Sequence, residues 1–392
     1  MMALALQMFS GIEHGVAALA TVTVADERWA WVTLGQVPGI TGNARRYHDL
    51  LGLGTPAEVF SERREVLAEV VGLEAADRLV AYNWRRAATE QAGLAERAGA
   101  RLVLLSDPDY PALLRPIDLP PPFLLVRGDL LREDALGISI VGSRRGSPYG
   151  LRMAERLGAD LGGRGVTVVS GLARGIDTAA HRGALDAGGR TVAVLGSGVD
   201  VVYPPENSRL AREVTRAGAV VSQFPMGTPP LAHHFPARNR LIAGLTLGTV
   251  VVEAAERSGA LITARLAGEL GREVYAVPGN VSSEGSQGAN GLIRDGARLT
   301  QGWEDVVAEW PADLRRALRP MLASGSSSGG AAVDVPTPGR SPLLELLGDE
   351  PVAIDTLVEQ SRLPSGQASA ELIALELRGL VRRIDGQRYI RS

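Results

Sequence analysis

Between Gly137 and Ala297 the chain repeats one unit: a short β-branched run, a turn residue, then an amphipathic stretch with helical spacing. This alternation constrains the fold more than any other feature. Strands separated by helices cannot pair as tight hairpins, so they lie parallel in a sheet covered on both faces. The runs are Ile138–Val141, Val166–Ser170, Thr191–Leu195, Ala219–Ser222, Thr249–Glu253 and Glu273–Val277, and the intervening helical segments include Tyr149–Leu161, Thr178–Ala187 and Leu261–Leu270. The expected fold class is α/β, with an extended Rossmann-like parallel sheet as the core. In such sheets the ligand crevice lies beyond the carboxyl ends of the strands, so the loops opening each helix are where function is expected.

Both flanks read differently. From Trp31 to Leu94 the pattern is helical, with a turn at Gln36–Asn43 and helices around Ala44–Leu51 and Pro56–Phe60. The Pro-Gly-Ile-Thr-Gly turn reads first as an interhelical loop in a SAM-like (sterile-alpha-motif-like) bundle. It is also similar to a helix-hairpin-helix turn, whose backbone N–H groups hold a phosphate. After Arg319 the Gly/Ser run Ala323–Ala331 reads as a flexible tether. Beyond it, helical patterns at Pro342–Leu347, Ile354–Ser361 and Gln367–Arg378 precede Leu380–Ile384 and Gln387–Ile390, which flank the hairpin signal Asp385-Gly386. Three helices and a hairpin follow winged-helix order. Gln367–Arg378 has no dense basic face, so protein contact is at least as natural a role for this domain as duplex DNA. The expected division is a helical domain at 1–98, the Rossmann-like domain at 99–310, a linker at 311–341 and a winged helix at 342–392.

Composition limits the functions on offer. At 392 residues and 45% hydrophobic content the chain suffices for two or three domains and a sizeable core. Without cysteine it forms no disulfide or thiolate metal site. No apolar run reaches membrane-spanning length and Met1–Ser10 lacks a basic leader, so a soluble cytoplasmic protein is expected. A net charge of -3 argues against a uniformly basic, nucleic-acid-coating surface. All 41 basic residues are arginine, which is the signature of a coding bias, and any phosphate site must therefore be built from arginine. Charge location, not total charge, decides.

The loops supply that location. Ile140–Gly150 runs from a strand through a glycine turn with Arg144 and Arg145 into a helix, the outline of an anion site. Alone it would equally be a tight turn with solvated arginines. The pattern recurs in Val169–His181, which carries Arg174, then in Gly196-Ser-Gly198, in Phe235–Ile242 with Arg238 and Arg240, and in Ser258–Ala264. A line of arginines and bare N–H groups along one sheet edge suits a chain of phosphates better than a single small one. The dinucleotide fingerprint G-x-G-x-x-G is absent. Asp177 and His181 share a helix face, and Ser170 or Ser258 could be imagined as a nucleophile. No complete triad or metal set accompanies them, so Asp177 reads as a helix cap and His181 as a packed or surface side chain. Glu253 ends a strand, where a carboxylate orders a neighbouring arginine or helix start as readily as it acts as a base. No catalytic residue, metal or cofactor is expected.

Asp109-Tyr-Pro111, Pro122–Gly128, Val141–Arg144, Ser170–Ala173, Gly175–Asp177, His181, Tyr203-Pro204, Arg238–Arg240, Ser258–Thr263, Pro278-Gly279 and Gly291–Ala297 stand in the order seen in the DNA processing protein A (DprA/Smf) family. Over roughly half its length the chain resembles that family, far beyond what one short motif conveys. Its helical front and winged-helix tail are similar to the longer members. The resemblance implies a non-enzymatic homodimer that binds single-stranded DNA in a basic pocket and loads the RecA recombinase on it in natural transformation and recombination. Carried onto matching positions, it makes Arg144, Ser170, Gly171, Arg174, Arg238, Asn239, Arg240, Ser258 and Gly259 the DNA-binding residues. Arg144 then grips a phosphate at the first helix start, and Arg238 and Arg240 form the opposite wall. Ser170, Gly171 and Gly259 allow close backbone approach. At 4% aromatic content, stacking by Phe235, Tyr149 or Tyr203 only supplements phosphate contacts, so weak base preference is expected.

The sequence departs from the family at two points. Gln223 follows Ser222 where the family usually has an acid, and arginine must serve wherever relatives use lysine. A rival reading is a Rossmann-like enzyme that cleaves nucleoside monophosphates, but that class resembles Pro-Gly-Gly-x-Gly-Thr with a following glutamate, unlike Ser258–Thr263. A third reading is a scaffold working through the winged helix, which deletion beyond Arg319 would disable.

Overall fold

Five short helices precede the sheet in the computed structural model, which describes residues 27–319 apart from 309 and, beyond 341, residues 342–348, 352–361, 363, 368, 371–372, 375, 381–384 and 388–391. They are α1 (Ala44–Leu51), α2 (Pro56–Val59), α3 (Arg64–Val71), α4 (Leu73–Ala81) and α5 (Trp84–Ala98), with residues 27–34 also helical. Local chemistry sets their limits. The Asn43 side chain caps α1 through the Arg46 N–H, Thr55 and Glu58 form a capping box on α2, and Gly99 ends α5 in the left-handed conformation. Leu34, Val37, Ile40, Leu50, Leu67 and Leu79 bury their side chains in a core of their own. Val32 and Ala95 instead join a cluster with the sheet residues Leu125, Ala193 and Val220, so the helices are anchored to the sheet.

The sheet has nine strands: β1 (Ala100–Leu104), β2 (Phe123–Gly128), β3 (Gly137–Val141), β4 (Thr167–Ser170), β5 (Thr191–Val194), β6 (Ala219–Ser222), β7 (Gly248–Val251), β8 (Glu273–Ala276) and β9 (Arg298–Leu299), in the spatial order β1-β2-β6-β5-β4-β3-β7-β8-β9. From β6 to β8 all neighbours are parallel, as expected, and the short β9, not foreseen from the alternation, extends the parallel order beyond β8. Beyond β6, β2 and β1 add antiparallel strands that the alternation did not reveal, since no helix separates them. Successive side chains point to opposite faces. Val141, Val169, Val192, Val221 and Val251 pack on one side against Leu241 and Ile242 of α9 (His234–Gly244) and Ala260 and Ala264 of α10 (Gly259–Glu269). Ile138, Ile140, Val168 and Val250 pack on the other. That face is covered by α6 (Pro148–Gly163) and α7 (Ile176–Asp186), with α8 (Ser208–Ala217) packed on the neighbouring strands β5 and β6. The α6 and α7 backbones approach so closely that a Cβ at Gly183 would lie 1.9 Å from the Glu155 carbonyl oxygen.

The chain divides into two units, Met1–Ser324 and Gly325–Ser392. In the second, α11 (Pro342–Leu346) and α12 (Ile354–Ser361) accompany a sheet of β10 (Val352–Ala353), β11 (Val381–Ile384) and β12 (Arg388–Arg391), with β12 central and antiparallel to both. Leu343, Leu347, Leu357, Leu372, Val381 and Tyr389 form its core. The Gly/Ser tether, the Asp385-Gly386 turn and most of Gln367–Arg378 lie outside the described residues. Among the described residues, no helix is long and apolar enough to cross a membrane.

Candidate functional site

Strand order reverses between β3 and β7: the chain leaves β3 for β4 on one side and β7 for β8 on the other. A crevice is expected beyond the carboxyl ends of such a pair. The two loops meet there. The Ser143 N–H donates to the Glu253 carbonyl at 2.6 Å, and the Ser147 N–H donates to the Glu253 carboxylate at 3.1 and 3.2 Å. Ser147 Oγ also donates to that carboxylate and accepts from the Gly150 N–H at 3.1 Å, capping α6. Glu253 therefore orders a helix start, the structural option of the two read from sequence. Gly142 is required at the turn, because a Cβ would sit 2.7 Å from Ile176 Cγ1.

A cleft of about 430 Å³ opens at this point, lined by Arg144, Asp177, Phe235, Arg238, Asn239 and Gly259 among others. The Arg144 and Arg238 guanidinium carbons lie 5.2 and 5.4 Å from the centroid of the Phe235 ring, within cation–π range. Arg144 is exposed and has no hydrogen-bond acceptor among the described residues, so its donors face the cleft unspent. Ser258 caps α10 by accepting from the Ala260 N–H at 3.3 Å. Nothing lies within 4 Å of a Cβ built on Gly259, so the backbone at the helix start is bare to the cleft. The Asn239 side-chain amide donates to the Gly259 carbonyl at 3.3 Å, tying α9 to that start.

Behind this opening lies a buried polar layer. Asp177 Oδ2 accepts from the Gly171 and Ala173 N–H groups at 3.1 and 3.3 Å and stands 3.9 Å from Arg238 Nη1. Asp177 thus fixes the loop before α7, and the helix cap is Gly175. Burial pushes the Asp177 carboxyl up, opposed by the Arg238 charge, and burial pushes Arg238 down. Arg238 Nε has no partner among the described residues. His181 is fully buried. The Thr191 hydroxyl spends its proton on the Val168 carbonyl and so accepts from His181 Nδ1 at 2.7 Å, which leaves the unprotonated Nε2 without a partner among the described residues. Burial, with the Arg238 charge second, lowers the His181 pKa to about 3, so the ring is neutral.

The cleft therefore brings together Arg144, Arg238, Asn239, Ser258 and Gly259 of the residues read from sequence. Arg174 stands at its edge, lining a smaller recess with Arg144, Tyr203, Phe235 and Arg238, and pairs with the exposed Glu206. Two parts of the expected pocket are arranged differently in the structure. Arg240 does not form a wall with Arg238: residues two apart on a helix point in different directions, and Arg240 donates to the backbone carbonyls of Leu119 and Asp118 outside the cleft. Ser170 and Gly171 are packed against other protein atoms. Ser170 is buried and donates to the Ile140 carbonyl at 2.6 Å, while a Cβ on Gly171 would lie 1.6 Å from Arg238 Nη1. Gly171 makes room for the arginine. Sequence reasoning missed Asp177 as the partner of Arg238. Its signal is an acid at the first turn of a helix whose preceding loop is glycine-rich.

The arrangement suits an anion: two guanidiniums on one aromatic ring beside an open helix start, with the adjacent carboxylate bonded to backbone. The family model described as DNA recombination-mediator protein A matches residues 101–311, and that of the DprA winged helix domain matches residues 330–387. Protein Smf of Escherichia coli strain K12 is 40% identical over 289 residues, covering 74% of each chain. The DNA processing protein DprA of Streptococcus pneumoniae strain R6 is 44% identical over 204 residues, 52% of this chain and 72% of that protein. The X-ray structure of DNA processing protein A from Streptococcus pneumoniae is similar with a TM-score of 0.63 and 34% identity, over 72% of this chain and 98% of that one.

Proposed function

This chain belongs to the DNA recombination-mediator protein A family, and from that premise we propose that it binds single-stranded DNA in the Arg144–Arg238 cleft and delivers it to the RecA recombinase. The observation that supports this reading best is the pair of guanidiniums on the Phe235 ring beside the bare start of α10. One phosphate spans the unspent donors of Arg144 and Arg238, and the neighbouring N–H groups take the next. The phosphodiester chain then follows the sheet edge with bases facing outward, which gives little base preference. A non-enzymatic role agrees with the same layer: His181 is buried and neutral, Ser170 is spent on a backbone carbonyl, and Ser258 caps a helix. The working protein on this reading is a cytoplasmic homodimer. Its helical module is residues 1–98, its DNA-binding domain 99–310, its linker 311–341, and its winged helix 342–392 serves partner or duplex contact.

The test is fluorescence anisotropy with a labelled dT oligonucleotide at several salt concentrations, followed by RecA nucleation on the same strand. Arg144→Ala is the informative variant because Arg144 has no hydrogen bond to the described residues to lose. A folded variant with weakened, less salt-sensitive binding and slower RecA nucleation supports the reading. Unchanged binding places the DNA elsewhere.

A further inference from the structure

Helix α9 separates two clefts. Phe235, Arg238 and Asn239 face the one described above, whereas Ala237, Arg240 and Leu241 line a second of about 390 Å³, closed on its far side by the turn before α1. This volume is in the range of small-molecule sites. Its lining carries one guanidinium, from Arg240, and no carboxylate. Arg240 is held by two neutral backbone carbonyls and makes no ion pair among the described residues, although it also borders an adjacent recess that Asp118 and Glu269 line. Across the cleft, the N–H groups of Gly42 and Ala44 have no acceptor among the described residues, and they sit at the positive end of the eight-residue α1. The charge and the open N–H groups come from different elements and select the same sign of ligand.

The rest of the lining favours a flat ring. Tyr47 spends its hydroxyl on the Trp31 carbonyl at 2.6 Å, and Phe224 lies against His234 with centroids 4.2 Å apart. Beside Phe224 stands Gln223, partly exposed, whose side-chain amide bonds to no described residue and so offers one donor and one acceptor face. An anion site, aromatic walls and an unspent amide are what a nucleotide needs for its phosphate, its base and its base edge. We propose that this cleft binds a single nucleotide unit, independently of the Arg144 cleft. The unit comes either from a free mononucleotide or from a strand that has crossed α9.

Titration calorimetry with dTMP, anisotropy with a labelled dT oligonucleotide and hydrogen exchange over residues 41–47 and 223–228 test this on the full chain. Gln223→Glu places a carboxylate in the wall at a side chain with no structural bond, and Ala237→Met fills the cleft without adding charge. If dTMP binds, protects both segments, and is weakened about tenfold by Gln223→Glu and also by Ala237→Met but not by Arg144→Ala, the site takes free nucleotides. If dTMP fails to bind but the oligonucleotide protects both segments and loses affinity in both cleft variants, the site takes a nucleotide of the strand. If neither probe protects these segments, or folded cleft variants bind both probes like the wild type, the proposal is wrong.

Discussion

Arg238 Nη1 and Asp177 Oδ2 stand 3.9 Å apart with both side chains less than a tenth exposed. That separation is too long for a direct hydrogen bond, so the pair is Coulombic and the guanidinium keeps donors in hand. Burying either charge alone is costly, and each makes the other tolerable. On the proposed reading, a phosphate would add to this arrangement without breaking it.

Removing Arg238 alone leaves a buried carboxylate whose remaining partners are two backbone N–H groups. Arg238→Ala is expected to lose about 3–5 kcal/mol of stability, read as a lowered urea midpoint. Adding Asp177→Asn should recover a good part of that loss without restoring DNA affinity. If Arg238→Ala is as stable as the wild type, the two charges are not coupled. This is why Arg238 is a poor single probe of binding and Arg144 a good one.

His181 makes the fold sensitive to acid. Its pKa is lowered to about 3 in the folded chain from 6.5, because burial and the Arg238 charge disfavour the imidazolium. Between those values the unfolded chain binds a proton that the folded chain refuses, so this residue's contribution to stability is complete above pH 6.5 and falls as pH drops toward 3. The slope from this one group is at most about 1.4 kcal/mol per pH unit. His181→Gln keeps a donor toward Thr191 and cannot titrate. Its urea midpoint should vary less between pH 6.5 and 4 than that of the wild type, and parallel curves would refute the assignment.

Much of this layout was legible in the sequence. Six of the seven parallel strands fall within a residue or two of the β-branched runs because two-sided burial demands such residues, while the two-residue β9 (Arg298–Leu299) is too short to show a pattern. Antiparallel β1 and β2 escaped, since periodicity does not report which strands lie beside β6. Arg144, Ser258 and Gly259 line the cleft, and each was legible as a turn at a strand's carboxyl end. The separation of Arg238 from Arg240 was not legible, because Arg238-Asn-Arg240 shows two arginines but not the phase of α9, which sends them to separate clefts. The packing of Arg238 against Gly171 was not legible either, because a glycine that admits an internal guanidinium and one that admits a ligand look the same in a sequence.

That ambiguity yields a paired test. Gly171→Ala drives a methyl into Arg238 Nη1, so the arginine must move; a stability loss of about 1–3 kcal/mol and weaker dT binding should appear together. Gly259→Ala meets no atom within 4 Å and lies in the first turn of α10, so stability should change by less than about 1 kcal/mol. Its methyl does stand in the cleft, and a several-fold loss of dT affinity is expected in thermally intact protein. Normal affinity in Gly259→Ala would remove the start of α10 from the DNA path.

Arg144 allows the phosphate reading to be counted. Each phosphate neutralised on a single strand releases counterions, and log K falls with log salt at a slope near 0.7 per contact. Arg144 is exposed, lies 5.2 Å from the Phe235 ring, and is free of hydrogen bonds to described residues, so its replacement should remove one contact and little stability. Arg144→Ala should therefore flatten the salt slope by about 0.7 while weakening binding at every salt concentration. Tyr203 and Phe235 remain in place in that variant, so any stacking contribution, which is insensitive to salt, persists as residual affinity at high salt. A variant that loses affinity with an unchanged slope would make Arg144 a positioning residue for Phe235, and the phosphate would then belong to Arg238 and the α10 start alone.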